Sequence, residues 1–264
     1  MHTFIINPKY QMYDEFVRSI PFQFEKAGKL IYDSRNQVRL FDVNGQTLVV
    51  KRFKVPMLHQ RIDYTFIRPS KAKRAYTFAL RLAKLNISTP DPIACVETYR
   101  HGLFYYGYFV SAFCGDPDAR FLREDYVGHD DLIDAIVRFI VDMNEKGFIH
   151  GDMNLSNFLY RKDPDKKDSD GSNDSMSFHD SMSFHDSSTF HITTIDINRS
   201  HFCKHPSTKQ CLDSMIRLTH VRPLLRTIVM RYAELRRWDA TASADYVEHK
   251  LTRFERRKAL KKKV

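Results

Sequence analysis

Between Ile149 and Tyr160 the chain reads Ile-His-Gly-Asp-Met-Asn-Leu-Ser-Asn-Phe-Leu-Tyr, with a carboxylate at Asp152 and a carboxamide at Asn157. Phosphoryl transfer to a hydroxyl needs an acceptor that aligns the attacking oxygen and, close by, a metal that neutralises phosphate charge, so both groups come from one rigid loop. Asp152 stands where such a loop meets the hydroxyl, and Asn157 where it holds a divalent cation. Downstream, Asp196 follows an apolar run in Thr-Ile-Asp-Ile-Asn, a place from which a carboxylate bridges Mg²⁺ to phosphates. Upstream, Val49-Val50-Lys51 puts an ammonium on a strand, within reach of nucleotide phosphates. A plain Asp/Asn turn would account for residues 152–157 alone. It does not account for the order of the parts: strand lysine, helix, strands, helix, His-x-Asp-x-x-x-x-Asn, strand, aspartate. With Asp152 in the acceptor's place, His150 is read as a hydrogen-bonding residue behind the loop.

The elements that must position these groups are legible from periodicity. Residues 24–33, 37–43 and 46–53 read as three short strands, and the Asn44-Gly45 pair between the second and third is a type I′ hairpin signal. A β-meander is therefore expected to open the fold. Ser70 is placed to cap a helix from Lys71, in which Ala75, Phe78, Ala79 and Leu82 recur at helical spacing and basic residues fill the other face. Two strands, 93–100 and 103–114, are separated by His101-Gly102, and a linker is expected over 112–118. From Asp130 to Lys146 the pattern turns helical, with Leu132, Ile136, Phe139, Ile140 and Met143 on one stripe. Residues 161–190 break the composition, with Asp-Ser-Met-Ser-Phe-His repeated in tandem at 174–179 and 180–185. So polar a stretch is expected to be a disordered insertion at a hairpin tip, where doubling a loop costs only about 0.6 kcal/mol. Helices are expected at about 207–220, 222–238 and 243–261. The expectation is an α+β fold of two lobes: a small β-rich N-lobe over 1–112, and a mostly helical C-lobe over 113–264 that carries the loop.

In this motif order, over roughly residues 24–202, the sequence resembles the protein-kinase-like fold and within it the lipopolysaccharide kinase family, which phosphorylates Kdo or heptose of the inner core. The residues that carry the resemblance are Leu-Val-Val-Lys-Arg-Phe around Lys51, the helix from Ser70 with the Thr-Pro-Asp-Pro-Ile-Ala stretch after it, His-Gly-Asp-Met-Asn-Leu-Ser-Asn-Phe-Leu-Tyr, and Thr-Thr-Ile-Asp-Ile-Asn-Arg-Ser-His-Phe. The resemblance implies ATP and Mg²⁺ as cofactors. Asp152 would orient or deprotonate the sugar hydroxyl, Lys51, Gly28, Asn157 and Asp196 would make up the cofactor site, and of these Asn157 and Asp196 would bind the metal. It also implies a lipopolysaccharide core glycolipid as acceptor, and a peripheral place at the cytoplasmic face of the inner membrane of a Gram-negative bacterium. His150-Gly151-Asp152 departs from His-Arg-Asp; without the arginine no phospho-switch is expected, and a sugar or small molecule is favoured over a protein substrate. Asp196-Ile197-Asn198 replaces Asp-Phe-Gly. Gly28 is the single glycine of the first hairpin. No Asp or Glu lies between Asp63 and Asp91, so the helix acid expected near Thr77 is absent and Lys51 is left to another acid, such as Glu25 or Asp63, or to a poorer position without one. A soluble kinase resembling aminoglycoside or choline phosphotransferases and a non-catalytic pseudokinase scaffold stand as the alternatives.

Charge and composition fit this reading. The 264 residues carry 42 Lys+Arg against 32 Asp+Glu, a net charge of +10, and 42% hydrophobic residues give ample material for a core. Residues 51–84 hold ten basic side chains against Asp63, and residues 217–264 hold fourteen against five acidic ones. The first segment is expected to meet nucleotide phosphate, and the second glycolipid or an anionic membrane surface. The tail, 243–264, reads either as a basic amphipathic helix with Leu251, Phe254 and Leu260 on its apolar side or as a soluble helix with a charged end. No nucleic-acid motif appears, and no nucleic-acid partner is expected. His201, Cys203, His205 and Cys211 are ligand types suited to zinc, but their spacing fits no zinc motif. Four cysteines without a CxxC pair read as reduced thiols. The opening Met-His-Thr-Phe-Ile-Ile has no signal-peptide pattern, and no run is apolar enough to span a membrane. The sequence carries no signal of oligomeric state.

Overall fold

Asn44 and Gly45 turn the chain with φ of 52° and 77°, the left-handed pair a type I′ hairpin requires. They join two strands of a six-stranded antiparallel sheet. The structure, a computed structural model, describes residues 1–163 and 189–262; most of the expected insertion, including its tandem repeat, lies outside the described residues. The chain divides into two compact units. One is Met1–Gly115 with Thr194–Ser200, and the other is made of the described parts of Asp116–Thr193 and His201–Val264. Residues 194–200, which a single cut of the chain assigns to the second lobe, thus belong to the first unit.

The first unit opens earlier than the expected meander. Strand β1 (His2–Ile6) leads into a 3₁₀ turn and helix α1 (Asp14–Gln23), followed by β2 (Lys29–Asp33), β3 (Gln37–Val43) and β4 (Gln46–Arg52). The correction has a local cause. Asn7 accepts from the Lys9 N–H at 3.1 Å to start the 3₁₀ turn at Pro8, and its amide donates to Pro92 O at 2.8 Å. Val17 and Ile20 of α1 are fully buried against Phe24, Phe41, Val50 and Tyr108, each such aliphatic side chain contributing about 1.5–3 kcal/mol.

Helix α2 (Leu58–Phe66) precedes α3 (Lys71–Lys84), and β5 (Pro92–Arg100) and β6 (Leu103–Ala112) complete the sheet in the order β1-β5-β6-β4-β3-β2. Ser70 caps α3 as expected, accepting from the Lys73 N–H at 3.1 Å. The buried face of α3 is small at Ala72, Ala75 and Ala79, which lets the helix lie close to the sheet. A Cβ on Gly107 of β6 would stand 2.8 Å from that of Ala72.

In the second unit, α4 (Asp130–Glu145) buries Leu132, Ile136, Ile140 and Met143 and puts Asp130 and Asp131 in its first turn, where the helix dipole favours them. Gly147 ends it at φ 78°, and a Cβ there would lie 2.3 Å from Cys203 O. After β7 (Phe148–Ile149) come β8 (Phe158–Lys162), β9 (Phe190–Thr194) and β10 (His201–Phe202), with β10 antiparallel to β7 and β8 paired with β9. Helices α5 (Thr208–Met215), α6 (Arg222–Leu235) and α7 (Ala240–Lys262) follow. Ala244, Val247 and Leu251 of α7 are buried, and Arg226 of α6 reaches Asp245 at 2.8 Å and Glu248 at 2.9 Å. Leu251 is therefore spent on the unit's own packing rather than on an outward apolar face. No described helix is long and apolar enough to cross a membrane.

Candidate active site

The loop after β7 is held from several sides within the second unit. The Asp152 N–H donates to Nδ1 of the buried His150 at 3.1 Å, the Leu155 N–H donates to Leu218 O at 3.1 Å, and the side chains of Met153 and Leu155 are buried. His150 thus acts as a hydrogen-bond acceptor beneath the loop. Asn154 Oδ1 accepts from the Ser156 N–H at 3.0 Å and from the Arg123 guanidinium. Asn157 donates through Nδ2 to the backbone oxygen of Asp152 at 2.8 Å. Its Oδ1 accepts no hydrogen bond among the described residues, a hard oxygen of the type Mg²⁺ takes. The carboxylate of Asp152 meets Arg217, Nη2 to Oδ1 at 2.9 Å, and the same Nη2 reaches Gly151 O at 3.4 Å.

In the first unit Lys51 on β4 donates to Asp196 Oδ1 at 2.7 Å, although the two are 145 positions apart. Asn198 Nδ2 donates to the same oxygen at 2.5 Å. Asp196 sits at φ 57°, ψ 42°, a left-handed conformation that Asp tolerates better than most side chains. Ile197, buried beside it, and the bond from the Thr194 N–H to Ser88 O at 2.9 Å hold the segment. Strained backbone of this kind concentrates where a side chain must be aimed.

The acid that answers Lys51 is therefore Asp196, not Glu25 or Asp63. Glu25 accepts from Arg52, and Asp63 from Arg68 at 3.1 Å. Thr77, where the helix acid was sought, donates to its own helix at Lys73 O, 2.9 Å away. The N-terminal turns of α3 are instead basic. The Lys71 amine is pushed below its ordinary range by burial and then by the charges of Arg35, Arg199, Arg74 and Arg68, and Arg74 Nε is buried with no hydrogen-bond partner among the described residues. Basic residues cluster here as the segment charge anticipates, but the inclusion of Arg35 and Arg199 has no local sequence signal.

Gly28 has a packing reason of its own: at φ 75°, a Cβ would stand 2.7 Å from Leu40 O and 2.8 Å from the Phe41 ring. Cys211 is buried, and Cys203 donates its N–H to Gly147 O at 2.9 Å. Among the described residues no group of three or more His, Cys, Asp or Glu side chains is arranged to hold a metal ion. Each in its own unit, Asn157 offers an amide oxygen and Asp196 a carboxylate, hard oxygens of the type that Mg²⁺ takes.

No family model and no curated protein matches this sequence. Among solved structures, the chain is similar to WaaP in complex with acyl carrier protein, at 16% identity and a TM-score of 0.58, covering 95% of this chain and 98% of that one. It also matches the Rio2 kinase of Chaetomium thermophilum, solved as an ADP/Mg²⁺-phosphoaspartate complex, at 15% identity and a TM-score of 0.47, covering 89% of this chain and 66% of that one. The fold is α+β and protein-kinase-like. The expected kinase-like architecture is thus borne out at the level of the fold, with the likeness to WaaP running along almost the whole chain.

Proposed function

We propose that the protein is an ATP-dependent kinase that phosphorylates a sugar hydroxyl, Kdo or heptose, of a lipopolysaccharide core. The observation that carries this reading is the Lys51–Asp196 ion pair at 2.7 Å, on a chain that also holds Asp152 and Asn157 on one braced loop and has the fold of WaaP. Lys51, with the cations around Lys71, supplies charge for the nucleotide phosphates. Asn157 and Asp196 supply hard oxygens for a divalent cation, which neutralises phosphate charge when bound. Asp152 receives the proton of the acceptor hydroxyl as its oxygen bonds to the γ-phosphorus. The bridging bond to that phosphorus breaks, and ADP leaves with the electron pair.

Gly151 between His150 and Asp152 supports a sugar or small-molecule acceptor, and the likeness to WaaP supports the core glycolipid among these. The basic end of α7 fits a peripheral position at the inner face of the inner membrane. Acyl carrier protein, the partner in the WaaP structure, is a candidate for co-purification with this chain. Mass spectrometry of core glycolipid from cells lacking the protein tests the reading. One phosphate should be missing, restored by the wild-type chain and not by Asp152→Ala. An unchanged glycolipid would turn the reading towards a soluble kinase of the aminoglycoside or choline phosphotransferase type.

A further inference from the structure

Lys250, Arg253, Phe254 and Arg257 fall at i, i+3, i+4 and i+7 on one face of α7. This face lines a cavity of about 400 Å³ with Asp213, Ile216 and Arg217 at the end of α5. All of these residues lie in the second unit. Four cations thus face one carboxylate, and Asp213 is already engaged by Lys209 at 2.5 Å, Tyr246 at 2.9 Å and Lys250 at 3.6 Å. Arg253 and Arg257 have no ion pair among the described residues. Phe254 and Ile216 give the cavity an apolar wall, and the Arg217 guanidinium lies 5.8 Å from the Phe254 ring centre. Arg217 belongs to the cavity and also holds Asp152 at 2.9 Å. The cavity therefore shares Arg217 with the carboxylate to which the reading above gives the acceptor's proton.

We infer that this cavity is the subsite for an anionic substituent, phosphate or carboxylate, on the acceptor sugar. The inference rests on the kinase reading above for its acceptor, but its charge and shape stand without it. Guanidinium groups bind phosphate and carboxylate in a bidentate fashion, and an aromatic wall beside them suits the apolar face of a sugar ring. An anion seated among Arg253, Arg257 and Lys250 gives Arg217 a second partner and sets the neighbouring hydroxyl towards Asp152. A neutral sugar gains none of these contacts.

The test uses the full chain and the variant Arg253→Gln/Arg257→Gln, both exposed on α7, so that folding is not at stake. Isothermal titration measures ATP with Mg²⁺ first, then inorganic phosphate on the nucleotide-saturated protein, and a third arm measures vesicles of phosphatidylglycerol. Phosphate affinity should fall about tenfold or more in the variant, as expected for the loss of a charge-assisted contact. Equal phosphate affinity in both proteins overturns the inference, and if ATP still binds, the kinase reading survives that failure. No ATP binding with variant-sensitive phosphate binding removes the kinase reading and keeps the anion site. Loss of vesicle binding with unchanged phosphate affinity overturns the inference in favour of a membrane-contacting surface.

Discussion

At the residue scale the decisive contact is between Lys51 and Asp196, and it explains how a kinase-like strand lysine is held without a helix glutamate. The pair is partly exposed, with side-chain accessibilities of 18% and 34%, which on the proposed function leaves the ammonium open to exchange from carboxylate to phosphate. Lys51→Met should fold, since β4 is fixed by both neighbouring strands, and should lose a charged hydrogen bond of about 1.5–3 kcal/mol to the nucleotide. Titration calorimetry should then show ATP affinity falling about tenfold to a hundredfold. Unchanged affinity would remove Lys51 from the nucleotide site. The motif residues were legible because each sits in a short segment of telling type and spacing. Their partners were not. Asp196 reads from its segment as a bridge from metal to phosphate and not as the partner of Lys51, and Arg217 is one of fourteen basic residues in its segment, with no spacing that singles it out.

At the scale of elements, strands joined by turns with a sterically required residue were the most legible. Asn44-Gly45 and His101-Gly102 both take positive φ, and the strands they join follow the expected limits closely. Helix α3 was legible through Ser70. Helix α2 was not: Met57 at its start makes no side-chain cap, and Pro56 precedes it. Helix α1 was hidden by Pro21 inside it, and the five residues of β1 are too few to show an alternation. These elements are specified by tertiary partners, Pro92 O for Asn7 and the Phe104 backbone for Arg61 and Thr65 of α2, at 2.7 and 2.8 Å. Gly147 is the reverse case, a single residue whose type decides a junction. Gly147→Ala adds a methyl 2.3 Å from Cys203 O at a left-handed φ, a conformation that alone costs about 1–2 kcal/mol. Urea denaturation should show at least that loss, and an unshifted midpoint would refute the close approach of the chain after β10.

At the scale of the whole molecule, the net charge of +10 resolves into local concentrations of like charge that cost stability. Lys71 reports one of them. Its amine is lowered by burial and by neighbouring arginines, so the charged form is disfavoured in the folded chain relative to the unfolded one. At neutral pH that charge is destabilising. As pH rises from the lowered value towards the ordinary 10.5, the folded chain releases the proton first and stability increases. Lys71→Met should therefore melt above the wild type at pH 7, with the advantage shrinking as pH approaches 10.5. A difference that stays constant with pH would rule out the charge as its source.

The return of Thr194–Ser200 to the first unit bears on the order of assembly. A chain emerging from the ribosome completes the sheet with β6, yet Lys51 has to wait for a partner 145 positions later, after the whole of α4 and the Asp152 loop has been made. The first unit is thus never finished by its own contiguous stretch. Contacts of such long sequence separation close late, which postpones the Lys51–Asp196 ion pair until the segment that carries Asp152 already exists.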